Sequence, residues 1–405
     1  MEFNNLRRLL FGGSALIASL PLMAGQQSFE ARSDAMGGTA VASASRLSSI
    51  FVNPALMNIS KNKTNDLSIL LPAVGIEAGD PDSIIDQIDD IQDFYTSLDD
   101  AINSQNVSEI ETSRDSLVTS LEDLDNSQAR IDGGVGFAVI LADFDNGSSS
   151  GLFYKSYFNA FIVADVDNND INDLKNIDPL NPPKLEDLKS EGVVSAGAIT
   201  DIGIAYSYPV LISDIPFSFG ASPKIQRIDT YQYAINVNNF ELDDAMDDQY
   251  RTDTTTFNMD IGLAAEPMKG VIVALTGRNL LKQEVKTTPT NNQQLTYQVE
   301  PQFTAGISYD WSILSFTSDI DINKHGNFKE IDDTECQFIR VGGEVRPISW
   351  VAVRMGYRKD IENNSEDLLT AGLGLSVFNT FNIDIAGVYG DNDTVGATLQ
   401  TSFYF

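Results

Sequence analysis

One cysteine, one histidine and two tryptophans occur in 405 residues, and basic side chains are scarce, 26 Lys and Arg against 58 Asp and Glu. Each shortage excludes something. A lone Cys336 rules out a disulfide framework and a CxxC redox site. A lone His325, in a segment read as a loop, leaves neither a Ser-His-Asp triad nor a His-rich metal site. No catalytic residue is assigned, no cofactor is expected, and the chain is read as a non-enzyme. The net charge of −32 excludes nucleic acid as a direct ligand, because phosphates would be repelled. Long apolar runs are missing too. Beyond the first two dozen residues none approaches the roughly 20 needed for a spanning helix.

Those first residues read as a secretory signal, 1–24. Arg7 and Arg8 precede an uncharged, mostly apolar core, Leu9 to Leu22, and small Ala24 offers a cleavage point. Removing them takes away two arginines and Glu2, which leaves −33. A secreted chain without a spanning helix enters a membrane only as a closed barrel. A mean hydropathy of −0.12 is compatible with that, since only alternate residues of a barrel strand face lipid.

What the sequence has in quantity is alternation. In the last stretch Val395, Ala397, Leu399, Thr401, Phe403 and Phe405 lie on one face, and Thr394, Gly396, Thr398, Gln400, Ser402 and Tyr404 on the other. A period of two is an extended strand with unlike faces. Ending on an aromatic, with Phe403 and Phe405 outward, it reads as the C-terminal signal for the barrel-assembly machinery. The pattern recurs near 65–77, 132–143, 151–165, 192–210, 215–230, 251–267, 270–282, 295–311, 313–324, 335–347, 350–360, 367–378, 380–390 and 394–405. In 350–360, Val351, Val353, Met355 and Tyr357 oppose Ala352, Arg354, Gly356 and Arg358. In 151–165 both faces are apolar and neither is assigned. Short connections alternate with long ones, as a bacterial barrel with an even strand count, short periplasmic turns and longer outer loops requires. The fold class is all-β: a 14-stranded antiparallel transmembrane β-barrel over 65–405, set in outer-membrane lipid, with both termini periplasmic.

Charged side chains on these strands must point inward, because a Lys or Arg on the lipid face at the midplane costs about 2–4 kcal/mol. Arg340, Glu344, Arg346, Arg354 and Arg358 are therefore assigned to the lumen, with Asp260, Glu266, Arg278, Asp319, Asp321 and Asp384. Arg340, Arg354 and Arg358 are read as a basic ladder facing carboxylates.

Two segments are not barrel wall. In 78–131, Ile84, Ile88, Ile91, Tyr95, Leu98 and Ile102 recur at three- and four-residue steps, as do Ile110, Leu117, Leu121 and Leu124. That spacing predicts an acidic helical hairpin in the first outer loop, either a lid or a docking site for envelope proteins through residues 80–131. Residues 25–64 are rich in Ala, Ser and Gly, with paired Gly37 and Gly38 and a turn at Asn53-Pro54-Ala55, and suit tucking inside something. Asp165, Asp167 and Asn169 resemble the start of a calcium loop, but Asp170 stands where the EF-hand pattern needs Gly, so a solvated acidic loop is the alternative and no metal site is assigned.

The run Ala31 to Ala42 followed by Asn53-Pro54-Ala55 resembles the N-terminal hatch of the FadL-like outer-membrane transporters, and within them is most similar to the conjugal-transfer TraF-type barrels. Leu56 departs from the glycine usual after Asn-Pro-Ala. The resemblance implies a lumenal plug fixed partly by Gly37, Gly38, Asn53, Pro54 and Ala55. It also implies one of two functions: an envelope component or scaffold of a conjugation or secretion system, or a channel for small hydrophobic solutes.

Overall fold

A computed structural model describes residues 29–59 and 67–405, except 81, 126, 142, 178–187, 291–292, 332–334, 379 and 391–393. The expected signal segment 1–24 and the expected tight connection at 391–393 lie outside the described residues. The strands are β1 (Ser68–Gly79), β2 (Gln128–Ile140), β3 (Ser149–Asp165), β4 (Glu191–Ile212), β5 (Ile215–Asn236), β6 (Arg251–Met268) and β7 (Val271–Arg278). There follow β8 (Gln283–Lys286), β9 (Thr296–Val299), β10 (Gln302–Trp311), β11 (Leu314–Asp321), β12 (Phe338–Ile348), β13 (Val351–Asp360), β14 (Leu368–Val377), β15 (Phe381–Gly390) and β16 (Val395–Tyr404). All but β8 and β9 pair antiparallel with their neighbours, and β1 closes on β16 through Ser68 opposite Tyr404 and Ala78 opposite Val395. The result is a closed fourteen-stranded barrel.

One expected strand is corrected. The stretch 295–311 is not continuous: Pro301 precedes β10, while Thr296–Val299 folds away and pairs with β8 as a separate two-stranded sheet. Proline has no N–H for a ladder, and strands commonly break there.

Sidedness follows the alternation. On β13, Met355 is 66% exposed while its neighbour Arg354 is 5% exposed. Phe316, Leu373, Ile385 and Leu399 also face outward, and Thr398, Gln400 and Ser402 inward. On β3 the unassigned faces resolve as Leu152 outward and Phe153, Lys155, Tyr157 and Asn159 inward. Trp311 and Phe378 stand exposed at the short-turn end, where amphipathic aromatics suit a membrane interface. Met355→Arg should therefore cost about 2–4 kcal/mol in urea unfolding from lipid vesicles, and Met355→Leu almost nothing. Equal stabilities would mean that this face does not meet hydrocarbon. Among the described residues no helix is long and apolar enough to cross a membrane.

Strands β4 and β5 run 22 residues each, about twice the 9–11 a spanning strand needs, so they project beyond the bilayer at the long-loop end. There the helices Ile84–Asn103 and Val107–Leu124 form the expected hairpin. Asn106 caps the second by accepting from Glu109 N. Ile84, Leu98, Leu117 and Leu121 pack with Ile131, Ile162, Tyr233 and Phe240 in one apolar cluster over that end. Burying each such side chain contributes about 1.5–3 kcal/mol.

Candidate functional site: the filled lumen

The described residues 29–59 lie inside the barrel, and their small side chains let them touch strands all round it. Gly37 (φ 73°) and Gly38 (φ 84°) make a left-handed turn that L side chains rarely adopt. A Cβ at Gly37 would also sit 2.6 Å from the Tyr357 carbonyl oxygen, so glycine is required by space as well. Gly37 N donates to Thr370 Oγ1 on β14 at 2.8 Å. Asn53 stitches the segment to itself, donating through Nδ2 to the Val41 carbonyl (2.9 Å) and accepting from Ala55 N (3.1 Å).

The wall is shaped to receive this segment. Gly342 and Gly356 face Met36 and Gly37, Gly306 faces Val41 and Ala42, Gly262 faces Asn53, and Gly220 faces Pro54 and Ala55. At four of these five a Cβ would come within 2.5 Å of the segment, and at Gly306 it would lie 3.0 Å from Val41 and closer still to Asp319 of the wall. Polar side chains complete the grip. The Asp319 carboxylate accepts from Ala40 N (2.7 Å) and Val41 N (2.9 Å). Thr276 donates to the Val52 carbonyl and Ser308 to the Ala42 carbonyl, both at 2.8 Å. Thr398 donates to Asp34 at 2.7 Å.

The remaining interior holds charge networks. Arg340 meets Asp321 with two parallel bonds of 2.9 and 3.0 Å. Glu344 receives Arg354 (2.6 Å), Arg346 (2.9 Å) and, from the lumenal segment, Arg32 (3.2 Å), while Arg354 also reaches Asp384 at 2.6 Å. Glu77 takes both Arg358 and Arg130 at 2.8 Å. Lys224 lies 2.9 Å from both Asp201 and Asp260 and 2.6 Å from Asn279 Oδ1. Charges this deeply buried are tolerable only when paired and hydrogen-bonded.

The expected basic ladder takes a different form. Arg340 and Arg358 are direct cross-strand neighbours, but each turns to its own carboxylate, and Arg354 sits opposite Glu344. Arg346 points to the short-turn mouth, half exposed. Glu266 is half-buried beside the turn, where it accepts from Gly270 N. Lys155, Asp201, Lys224, Glu77 and Arg130 belong to the lumen and were not anticipated. Lys224 and Gln226 sit on the same face as Ser222, a period-two signal that would have found them.

The acidic stretch after β3 is helical. Asp165 ends β3, and Asp167 caps the helix Asn168–Lys175 by accepting from Asn169 N (2.8 Å) and Nδ2 (2.7 Å). Asp170 accepts from Lys189 N, Ser190 N and Ser190 Oγ, so these oxygens serve the backbone. In the helical hairpin, partial burial and the neighbouring Asp86, Asp93 and Asp90 raise the Asp89 carboxyl above its ordinary value. Phe403 packs on Phe381 and Phe405, with centroids 4.8 and 6.5 Å away.

Residues 50–321 match the family described as F plasmid transfer operon, TraF, protein, a span running from the lumenal segment to β11. The chain belongs to that family. Solved structures show which architecture this TraF-family barrel shares. It superposes on a TodX deletion mutant, a monoaromatic hydrocarbon channel, with a TM-score of 0.54 at 10% identity, covering 94% of this chain and 100% of that one. The toluene transporter TbuX of Ralstonia pickettii gives 0.51 at 12%, covering 94% and 99%. A Pseudomonas aeruginosa FadL homologue gives 0.49 at 10%, covering 96% and 100%. No curated protein matches the sequence. The fold is that of the TodX and TbuX barrels.

Proposed function

We propose that this TraF-family barrel is an outer-membrane component of a conjugation or secretion apparatus, structural rather than conductive. The carrying observation is the filled lumen. Residues 29–59 act as a hatch, and deep in the barrel the spaces left beside them are small, about 30 Å³ beside Asp319 and Arg340 and about 10 Å³ beside Glu77 and Arg358, with a larger one of about 190 Å³ only at the short-turn mouth. A solute would have to break several buried ion pairs to pass. In this reading residues 1–24 are a cleaved signal and the barrel-assembly machinery recognises the strand ending in Phe403 and Phe405. The short turns and both termini then face the periplasm, and the acidic hairpin is presented outside for an envelope partner.

A second reading, a channel for small hydrophobic solutes, is favoured by one feature. A depression of about 600 Å³ on the outer wall is lined by Leu71, Phe137, Leu152, Ile202 and Phe257, with Phe153 and Lys224 from the lumen at its floor. The two readings separate cleanly. Deleting residues 84–124 should abolish co-purification of envelope proteins and leave heat-modifiable folding intact. Retention of the same partners would sink the docking role. Saturable toluene entry into proteoliposomes, unaffected by the deletion, would establish the channel instead.

A further inference from the structure

At the short-turn mouth, between the lumenal segment and strands β10 to β16, lies a polar cavity of about 190 Å³. That is several times the ~30 Å³ that a water occupies in the liquid. It is also below the roughly 300 Å³ at which drug-sized sites begin. The cavity suits a single small molecule.

Its wall indicates which kind. Charged groups line it, but they hold one another: Glu344 takes Arg32, Arg346 and Arg354, and Asp384 takes Arg354. Glu30 accepts from Ser33 N at 2.7 Å and Ser48 Oγ at 2.6 Å, and Asp310 is held by Ser315. Among the buried groups a charged ligand would have to displace one of these partners; only Arg346, half exposed at the mouth, has donors to spare. The unmet buried capacity is neutral. Thr317 and Gln400 line the cavity, 7% and 3% exposed, and their Oγ1 and Oε1 atoms make no hydrogen bond. A buried hydroxyl and a buried amide oxygen left unpaired each carry a desolvation penalty that a ligand can remove. Ser376 and Asn382 add neutral groups to the same wall, and Trp350 and Tyr404 add aromatic surface.

We infer that this cavity is a binding site for a neutral, hydroxyl-rich ligand of monosaccharide size, free or as the terminal unit of a glycan. Thr317 and Gln400 bind its hydroxyls, and Trp350 flanks the ring. The inference does not depend on what the barrel does or on which way it faces.

The experiment is saturation-transfer NMR on the full-length barrel in detergent, with glucose and N-acetylglucosamine as probes, and Trp350 fluorescence for affinity. Saturable binding is expected, weakened about three- to tenfold by each of Thr317→Val and Gln400→Leu. Ser376→Phe, which fills the cavity while keeping both groups, should abolish it and guards against loss by misfolding. Folding of each variant is checked by heat-modifiability. Retention of soluble cell-wall glycan chains on the immobilised barrel would assign the bound form to a polymer end, and binding of free sugar alone to a soluble sugar. Absence of saturable binding, or binding indifferent to all three substitutions, overturns the site and leaves a cavity filled by water alone.

Discussion

Replacing Glu344 with Gln should destabilise the barrel by about 3–5 kcal/mol, the largest loss expected from a single charge removal here. The carboxylate is 2% exposed and receives three guanidinium groups at once. Two of them are anchored in the interior: Arg354 on β13 and Arg32 on the lumenal segment. Glutamine keeps the shape but leaves those cations without their counter-charge, apart from the Arg354–Asp384 contact of 2.6 Å. Breaking a buried pair is costly because the remaining charge is still out of water. Arg346→Gln removes a partner of the same carboxylate whose side chain is 52% exposed, and should cost no more than about 1 kcal/mol. Urea unfolding in lipid vesicles reads both. A Glu344→Gln loss below about 1 kcal/mol would mean that water in the neighbouring mouth cavity screens this network, and the account of an interlocked lumen would fail.

How much of this could be read in the chain depends on the range of the interaction. Sidedness is local. Met355 against Arg354, or Leu399 against Gln400, is decided by neighbours in sequence, and the alternation reports it directly. The hairpin helices announce themselves equally through Ile84, Ile88 and Ile91. Partner choice is not local. Glu77 and Arg358 are 281 residues apart and meet only because β1 closes the barrel on β16. Arg130 stands before the residue where alternation on β2 becomes clear, within the stretch 78–131 that the sequence predicts as loop. On β3 the pattern fails for a physical reason. At its long-loop end Phe161 and Ile162 are both buried, Ile162 in the cluster under the helical hairpin, so both faces are apolar. The candidate hatch residues Gly37, Gly38 and Asn53 were visible as turn formers. That Gly220, Gly262, Gly306, Gly342 and Gly356 on distant strands leave room for them was not, because a glycine in a strand reads only as a weak point until its neighbour is known.

That complementarity gives the second large effect, Gly356→Val. A Cβ at this position would overlap the Gly37 nitrogen and the Met36 carbonyl carbon, both backbone atoms that cannot rotate away. Overpacking against mobile side chains costs about 1–3 kcal/mol, and against a fixed backbone it costs more. The wall should survive: valine suits a strand better than glycine does, and the ladder with β12 and β14 is untouched. The strain therefore falls on residues 29–59, the only party able to move. We expect the variant to fold and stay heat-modifiable, while protease reaches the 29–59 segment and planar-bilayer recordings change from a closed to a conducting barrel. Fourteen strands enclose a lumen too wide for their own side chains to fill, so loss of the segment opens a path. Gly387→Val is the matched control, since a Cβ there meets nothing within 4 Å, and it should remain closed. A Gly356→Val barrel as silent and protease-resistant as the Gly387→Val one would show that the segment can yield without leaving, and that the seal lies in the ion-pair networks around Glu344, Glu77 and Lys224 instead.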